Sequence, residues 1–377
     1  MLVLSSYHQI PPAALLQRPR VVVIGNFDGV HHGHKALLQR ARELAHEKSL
    51  GAGAGSVVVL TFSPHPARVL APHLAPPLLS SVQRKRELLA QEGVDALVEQ
   101  PFNRAFSQLS PEDFVDQVLI GSESEGLLAR AVVVGYDFSF GKGRAGNTQM
   151  LAELLGRHGA TVSVMPPVSV PSAPDPMYGA PLLCSSTLVR KAVQAGECER
   201  ATLLLGHYPE LEGEVVHGAG RGRSIGVPTA NLHCTSEVMP AVGVYAAWAE
   251  LLEPEVAASA QARAEPPGPR RVEPRQVRLR RPAAVNVGYN PTFTSPRGDS
   301  PVSQSALSTS SPSPISVEAH LLTDPAEPPL PSLYGQTLRL RFVARLRAEQ
   351  KFPSVAALVE QIQRDVAGVR QKLAVSP

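Results

Sequence analysis

Three runs in the first half of the chain, RVVVIGNF (20–27), SVVVLTF (56–62) and ARAVVVGYDF (129–138), each hold four consecutive apolar residues. A strand of that kind must be covered on both faces, as in the interior of a parallel sheet. Helical spacing lies between these strands: a helix over 33–49, VQRKRELLAQEG (82–93) and SPEDFVDQVLI (110–120), the last opened by Ser110 as N-cap with Pro111 behind it. Strand alternating with helix predicts a doubly wound parallel sheet of α/β class. The second half changes character. LEGEVVHG (211–218), GVYAAWAELL (243–252), RPAAVNVG (281–288), ISVEAHLL (315–322) and QTLRLRFVARL (336–346) are short β-rich runs between Gly/Pro turns, which predict an antiparallel β-barrel. An amphipathic helix over 354–373 closes the chain. A chain of 377 residues exceeds one ordinary core, and the pattern divides it into 1–186, a helical connector at 187–206, and 207–377.

Proline makes up 36 of the 377 residues, about twice the usual share of roughly 5%. The excess collects in 253–282, 295–315 and 323–332. These Pro/Ser/Ala/Arg-rich segments lack apolar periodicity and are expected to be loop-like insertions. The 36 basic and 33 acidic residues nearly cancel, to a net charge of +3, which gives nucleic-acid binding no support. Cys184, Cys198 and Cys234 are odd in number and lack CxxC spacing. They suit a reducing cytoplasm better than a disulfide framework or a zinc site. The opening residues do not read as a signal peptide, and no apolar run approaches the roughly 18 residues of a membrane helix. A cytoplasmic protein without membrane contact is expected; nothing in the pattern sets an oligomeric state.

The chemistry is carried by short strings. In GNFDGVHHGH (25–34) a strand ends on Gly25, where a phosphate can approach the backbone, and meets His31 and His34 at a helix start. Three residues apart, the two imidazoles share a face and can hydrogen-bond phosphate oxygens as charge builds in a transition state. Alone, the pair is better explained by a surface turn. TFSPHP (61–66) puts His65 at another strand end, and VVVGYDFSFGKGRAGN (132–147) places Asp137 beyond a third. CSSTLVRKAV (184–193) sets Ser185, Ser186, Thr187 and Arg190 at a helix N-terminus, a second phosphate-binding arrangement. In the second half, GEVVHGAGRGRSIGVPTANL (213–232) is a strand followed by a glycine-rich loop with Gly218, Gly220, Gly222 and Gly226. Its glycines free the backbone to wrap phosphates, while Thr229 and Asn231 offer neutral oxygens suited to Mg²⁺. It is not a GxxxxGK[ST] loop.

Together and in this order, these strings resemble the prokaryotic bifunctional riboflavin kinase/FAD synthetase family. GNFDGVHHGH is similar to the HxGH signature of nucleotidyltransferases, and PTAN (228–231), AAVNVGYNPTF (283–293) and VEAHLL (317–322) are similar to the riboflavin kinase signature. The resemblance spans roughly 20–370, apart from the Pro/Ser-rich segments. It implies a barrel that phosphorylates riboflavin to FMN with ATP and Mg²⁺, and a parallel-sheet domain that adenylylates FMN to FAD, releasing pyrophosphate. By this resemblance Glu318 is the general base and His31 and His34 are the phosphate-handling catalytic pair. Gly25, Asn26, Phe27, Asp28, His65, Ser186, Thr187, Arg190, Gly218, Gly222 and Gly226 bind nucleotide. Asp137 and Asn286 meet the flavin, and Thr229 and Asn231 hold the metal. The chain departs from the family's usual pattern at Val227 (commonly bulkier), at His207 (commonly arginine) and at TDPAEPPLPS (323–332), where the family has an Asp-Phe-Asp-like stretch. Affinity and turnover, more than reaction type, depend on those positions. A monofunctional kinase with a nucleotide-binding first half, and a flavin sensor without catalysis, are the alternatives; reacting groups in both halves disfavour the sensor.

Overall fold

The structure is a computed structural model and describes residues 1–9, 19–47, 55–122, 125–174, 181–218, 226–234, 238–254, 269–289, 315–324 and 330–374. The first half is built from β1 (Leu2–Leu4), β2 (Arg20–Ile24), α1 (His32–His46), β3 (Ser56–Ser63), a short α2 (Pro66–Leu70), α3 (Val82–Gln91) and β4 (Ala96–Pro101). It continues with α4 (Pro111–Asp113), which runs on as a π-helix over Phe114–Ile120, then β5 (Ala129–Gly135), α5 (Thr148–Arg157) and β6 (Thr161–Met165). The strands lie in the order β1-β4-β3-β2-β5-β6, all parallel. Alternate residues of one strand serve two cores, which is why the apolar runs are unbroken. Val22 and Ile24 pack with Phe114, Leu119 and Leu151 on one side of the sheet. Val21 and Val23 pack with Leu38, Leu44, Leu88 and Leu89 from α1 and α3 on the other. Ser110 caps α4 by accepting from the Asp113 amide, as its place before Pro111 predicts. Strand order reverses between β2 and β5, so the chain leaves those two strands in opposite directions and opens a crevice at their carboxyl ends.

A two-stranded ribbon of β7 (Ser169–Pro174) and β8 (Pro181–Leu183) leads into the connecting helices. These are α6 (Ser186–Ala195) and α7 (Cys198–Leu205), ended by Gly196 and Gly206 at φ of 76° and 71°. Left-handed glycines of this kind stop helices without strain. The second half contains β9 (Glu210–Val216), β10 (Ala230–His233), β11 (Gly243–Leu252), β12 (Arg270–Arg271), β13 (Val277–Tyr289), β14 (Ile315–Leu321), β15 (Thr337–Arg347) and α8 (Val355–Ala374). Six of these strands close an antiparallel barrel in the order β10-β14-β13-β11-β15-β9. Inward residues such as Val285, Val287, Val317, Ala319 and Phe342 fill it. On its outer side α8 covers Ala246 and Val343 with Val369 and Leu373.

One expectation from composition needs correction. The insertion assigned to 253–282 is not loop throughout: Arg270 and Arg271 form β12, which pairs antiparallel with β1 at the edge of the first-half sheet, and Val277–Pro282 already belong to β13. The pairing joins residues more than 260 positions apart in the sequence, so no local pattern announces it. Of the Pro/Ser-rich expectations, residues 255–268, 295–314 and 325–329 lie outside the described residues.

The halves are also joined by buried charge. Glu87 of α3, fully buried, accepts from Arg84 (3.1 Å), Arg275 (2.5 Å) and Arg339 of β15 (2.5 Å). Arg84 in turn reaches Glu210 of β9 at 2.6 Å. Against the upward push of burial, Arg84, His207 and Arg339 hold the Glu210 carboxyl down at about 2. His207, standing where the family pattern suggested arginine, reaches the Gly29 carbonyl at 3.1 Å, so the barrel side touches the loop that carries the two histidines.

Candidate active sites

The loop after β2 is held in an unusual conformation. Phe27 and Val30 have φ of 51° and 42°, a left-handed region that costs non-glycine residues energy, and both are fully buried, which fixes them there. His31 caps α1: its Nδ1 accepts from the His34 amide at 3.4 Å. The accepting Nδ1 assigns the ring proton to Nε2, leaving Nε2–H as a donor. The His31 and His34 rings stack at 3.8 Å and 17°, and His34 packs against Phe27 at 4.9 Å. Gly33 is required between them, because a Cβ there would lie 2.9 Å from the His31 ring. Burial, with His32 and Arg190 adding, lowers His31 to about 4. Burial, with His31 and Lys85 adding, lowers His34 well below the ordinary histidine range. At neutral pH the pair therefore acts as neutral hydrogen-bonding imidazoles, not as cations.

The other strings converge on the same loop. Ser186 donates to the Asp28 carbonyl at 3.1 Å, and Arg190 meets the Asp28 carboxylate at 2.5 Å. That carboxylate also accepts from the Leu79 and Ser80 amides at 2.9 and 3.3 Å. Asp28 thus braces the crevice, and Arg190, whose Nε donates to the Pro77 carbonyl at 2.9 Å, is braced with it. Thr187 is exposed in the first turn of α6, after Ser185, which caps that helix by accepting from Leu188. His65 caps α2 by accepting from Ala67 at 3.2 Å and lines a cavity of about 130 Å³ with Asn26, Asp28, Phe62, Ser80 and Lys85. Gly25 lies just above it at the end of β2, where a Cβ would come within 3.2 Å of the Phe27 ring. Asp137 is exposed beyond β5 and is not part of that lining. Lys85 was missed by sequence reasoning. The signal was a lysine one turn before Leu88 and Leu89 on the apolar face of α3.

The second constellation lies mid-strand. Asn231 of β10 pairs in register with Glu318 of β14, and Glu318 with Asn286 of β13. Side chains alternate along a strand. Val317 and Ala319 point into the barrel, so Glu318 and its two asparagine neighbours form a polar row on the outer face. Gly218 is required beside it: a Cβ there would overlap the Asn231 amide. His320, on the same face as Glu318, holds the Pro228 carbonyl at 2.8 Å and so ties the loop bearing Thr229 to β14. Gly226 has φ of 78° with open space around it. Gly220 and Gly222 lie outside the described residues. Among the described residues no cluster of three or more His, Cys, Asp or Glu could hold a metal. Thr229 and Asn231 can contribute only neutral oxygens, which suits a Mg²⁺ that arrives on nucleotide phosphates.

Two family models match the chain, FAD synthetase over residues 14–174 and riboflavin kinase over 205–373. Bifunctional riboflavin kinase/FMN adenylyltransferases are similar along nearly the whole length. The protein of Bacillus subtilis (strain 168) is 32% identical, covering 93% of this chain and 91% of the relative. That of Escherichia coli (strain K12) is 31% identical over 93% and 92%. That of Pseudomonas fluorescens is 31% identical over 98% and 97%. A crystal structure from Streptococcus pneumoniae, described as a macrolide-efflux protein, superposes with a TM-score of 0.70 at 27% identity over 98% of each chain. In the present chain, among the described residues, no helix is long and apolar enough to cross a membrane.

Proposed function

The chain belongs to the bifunctional riboflavin kinase/FMN adenylyltransferase family, and we propose that its two constellations divide the family's two reactions between them. It makes FMN and FAD from riboflavin with two molecules of ATP. The barrel row carries the kinase step. Glu318 takes the proton from the terminal ribityl hydroxyl as that oxygen attacks the γ-phosphorus, and ADP leaves. Asn286 and Asn231, its neighbours in register, orient the flavin and the nucleotide. Gly218 and Gly226 shape the loop over the phosphates, and Gly222 is assigned to the nucleotide with them. Thr229 and Asn231 would hold Mg²⁺, which when bound screens the phosphate charge. The observation that carries this half is the register Asn231–Glu318–Asn286, which gathers three residues from distant strings into one row.

The crevice between β2 and β5 carries the adenylyl transfer. FMN's phosphate is already an anion at neutral pH, so the reaction asks for alignment and charge stabilisation more than for a base. His31 donates from Nε2 to the ATP phosphates and His34 stacks beneath it. Gly25, Asn26 and Phe27 form the strand-end turn on which ATP rests, and Ser186 and Thr187 at the start of α6 face the leaving pyrophosphate. Asp28 and Arg190 act through the brace they form. His65 and Phe62 line the cavity in which the flavin phosphate meets ATP, with Asp137 toward the flavin. Helices α6 and α7 support the division into 1–186, 187–206 and 207–377. The free cysteines support a cytoplasmic location. Incubation with riboflavin, ATP and Mg²⁺, followed by separation of the flavins, tests the proposal. FMN is expected first and FAD after it, with ADP and pyrophosphate as co-products. FMN that never becomes FAD would reduce the first half to a nucleotide-binding domain.

A further inference from the structure

Lys85 sits on α3 with its ammonium largely withdrawn from water at the floor of the adenylyl-transfer cavity. Its hydrogen-bond contacts are two neutral oxygens at the limit of hydrogen bonding, the Asn26 carbonyl at 3.5 Å and Thr61 Oγ1 at 3.4 Å. Among the described residues, the carboxylates close enough to act on it are Glu99 and Asp28, and each is already neutralised by an arginine. Arg86 grips Glu99 through two bonds of 2.8 and 2.5 Å, and Arg190 holds Asp28 at 2.5 Å. The histidines that face it, His34 and His65, are kept neutral by burial. A buried cation without a counter-charge is costly, and a fold retains one where an anion will arrive. The ends of β2 and β3, which supply its two oxygens, bracket the place where FMN and ATP must meet.

On the function proposed above, we propose that Lys85 is a catalytic residue of the adenylyl transfer, its Nζ contacting the phosphate oxygens of the reacting FMN and ATP. An oxygen of the FMN phosphate forms its bond to the α-phosphorus of ATP while the bond to the β-phosphate oxygen breaks. The electron pair leaves on pyrophosphate. Lys85 keeps its proton throughout and neutralises the charge that crowds at the α-phosphorus, which the neutral imidazoles cannot do. Asn26 and Thr61 hold the ammonium in place until the phosphates replace them. The departing Nζ contacts are long, so little is lost in the exchange.

The test is Lys85→Met in the full chain, with three measurements on one preparation. FAD formation from supplied FMN is expected to fall by about 10²–10³-fold, the range for removing one transition-state donor from a preorganised site. The loss should appear in kcat more than in the KM for ATP. FMN formation from riboflavin by the same molecules should be unchanged. The melting temperature without ligands should stay level or rise, because the substitution removes a charge that lacks a carboxylate partner. Near-wild-type FAD formation by the variant overturns the proposal. A parallel loss of FMN formation and melting temperature also overturns it, by showing Lys85 to be structural. Absence of FAD formation in the wild-type control sinks the parent function itself, and is read before the variant is scored.

Discussion

The two constellations use strands in opposite ways. In the sheet, the working groups lie beyond strand ends, on a loop held by buried Phe27 and Val30 at positive φ and by the Asp28 brace. In the barrel they lie in mid-strand, aligned by register across β10, β14 and β13. A strand-end site gains backbone N–H groups and close approach to phosphates, but its geometry depends on everything packed against the loop. A mid-strand row inherits its geometry from the ladder, so one side chain can be exchanged while its neighbours stay. The sheet site is therefore expected to be the more sensitive to distant changes, above all through His207 at Gly29 and the charges around Glu87.

Glu87→Ala presses hardest on that difference. It leaves Arg84, Arg275 and Arg339 facing one another without their shared carboxylate, and breaking a buried pair in this way costs about 3–5 kcal/mol. Denaturant unfolding should show a loss of that size, with FAD formation falling before FMN formation as denaturant is raised. Equal sensitivity of the two reactions would erase the contrast. His31→Ala tests the sheet site directly. FAD formation should drop by about 10²–10³-fold, as for an oxyanion donor, while FMN formation stays constant. Wild-type FAD formation in that variant would remove the phosphate-handling role from the pair.

A smaller effect concerns pH. His31 titrates near 4 in the folded chain, against about 6.5 for an unperturbed histidine. The unfolded chain thus binds this proton first as pH falls. The stability contribution is full above about pH 6.5 and declines between there and about pH 4. Ring ¹⁵N shifts followed by NMR should show His31 neutral at pH 6; a midpoint between 6 and 7 would show that the stacked pair is open to water.

The legible parts of the fold were those whose physics is local. Strands buried on both faces announce themselves as unbroken apolar runs, and Ser110 and Ser185 announce helix starts. HxGH was legible as a site through its resemblance to the nucleotidyltransferase signature, since its spacing alone fits a surface turn. What escaped depends on partners far along the chain. The pair of arginines in β12 is a strand only because β1 presents a free edge. Glu87 reads as one charge of a solvated helix, yet it is fully buried because Arg275 and Arg339 come to it. Arg190 read as a pyrophosphate ligand, but its Nε and Nη2 are held by Pro77 and Asp28. Lys85 reads as one of four charged residues in the helix Val82–Gln91, and only its burial beside the ends of β2 and β3 sets it apart.

The central claim is that one chain holds two chemically independent sites, and Glu318→Gln tests it most directly. The substitution keeps the shape of the side chain and its place in the ladder between Asn231 and Asn286, and removes only its basicity. FMN formation from riboflavin should fall by about 10²-fold or more, within the range for losing a general base, with riboflavin and ATP affinities little changed. FAD formation from supplied FMN should proceed at the wild-type rate in the same sample. Near-normal FMN formation would contradict the assignment of the base, and a matching loss of FAD formation would contradict the independence of the sites.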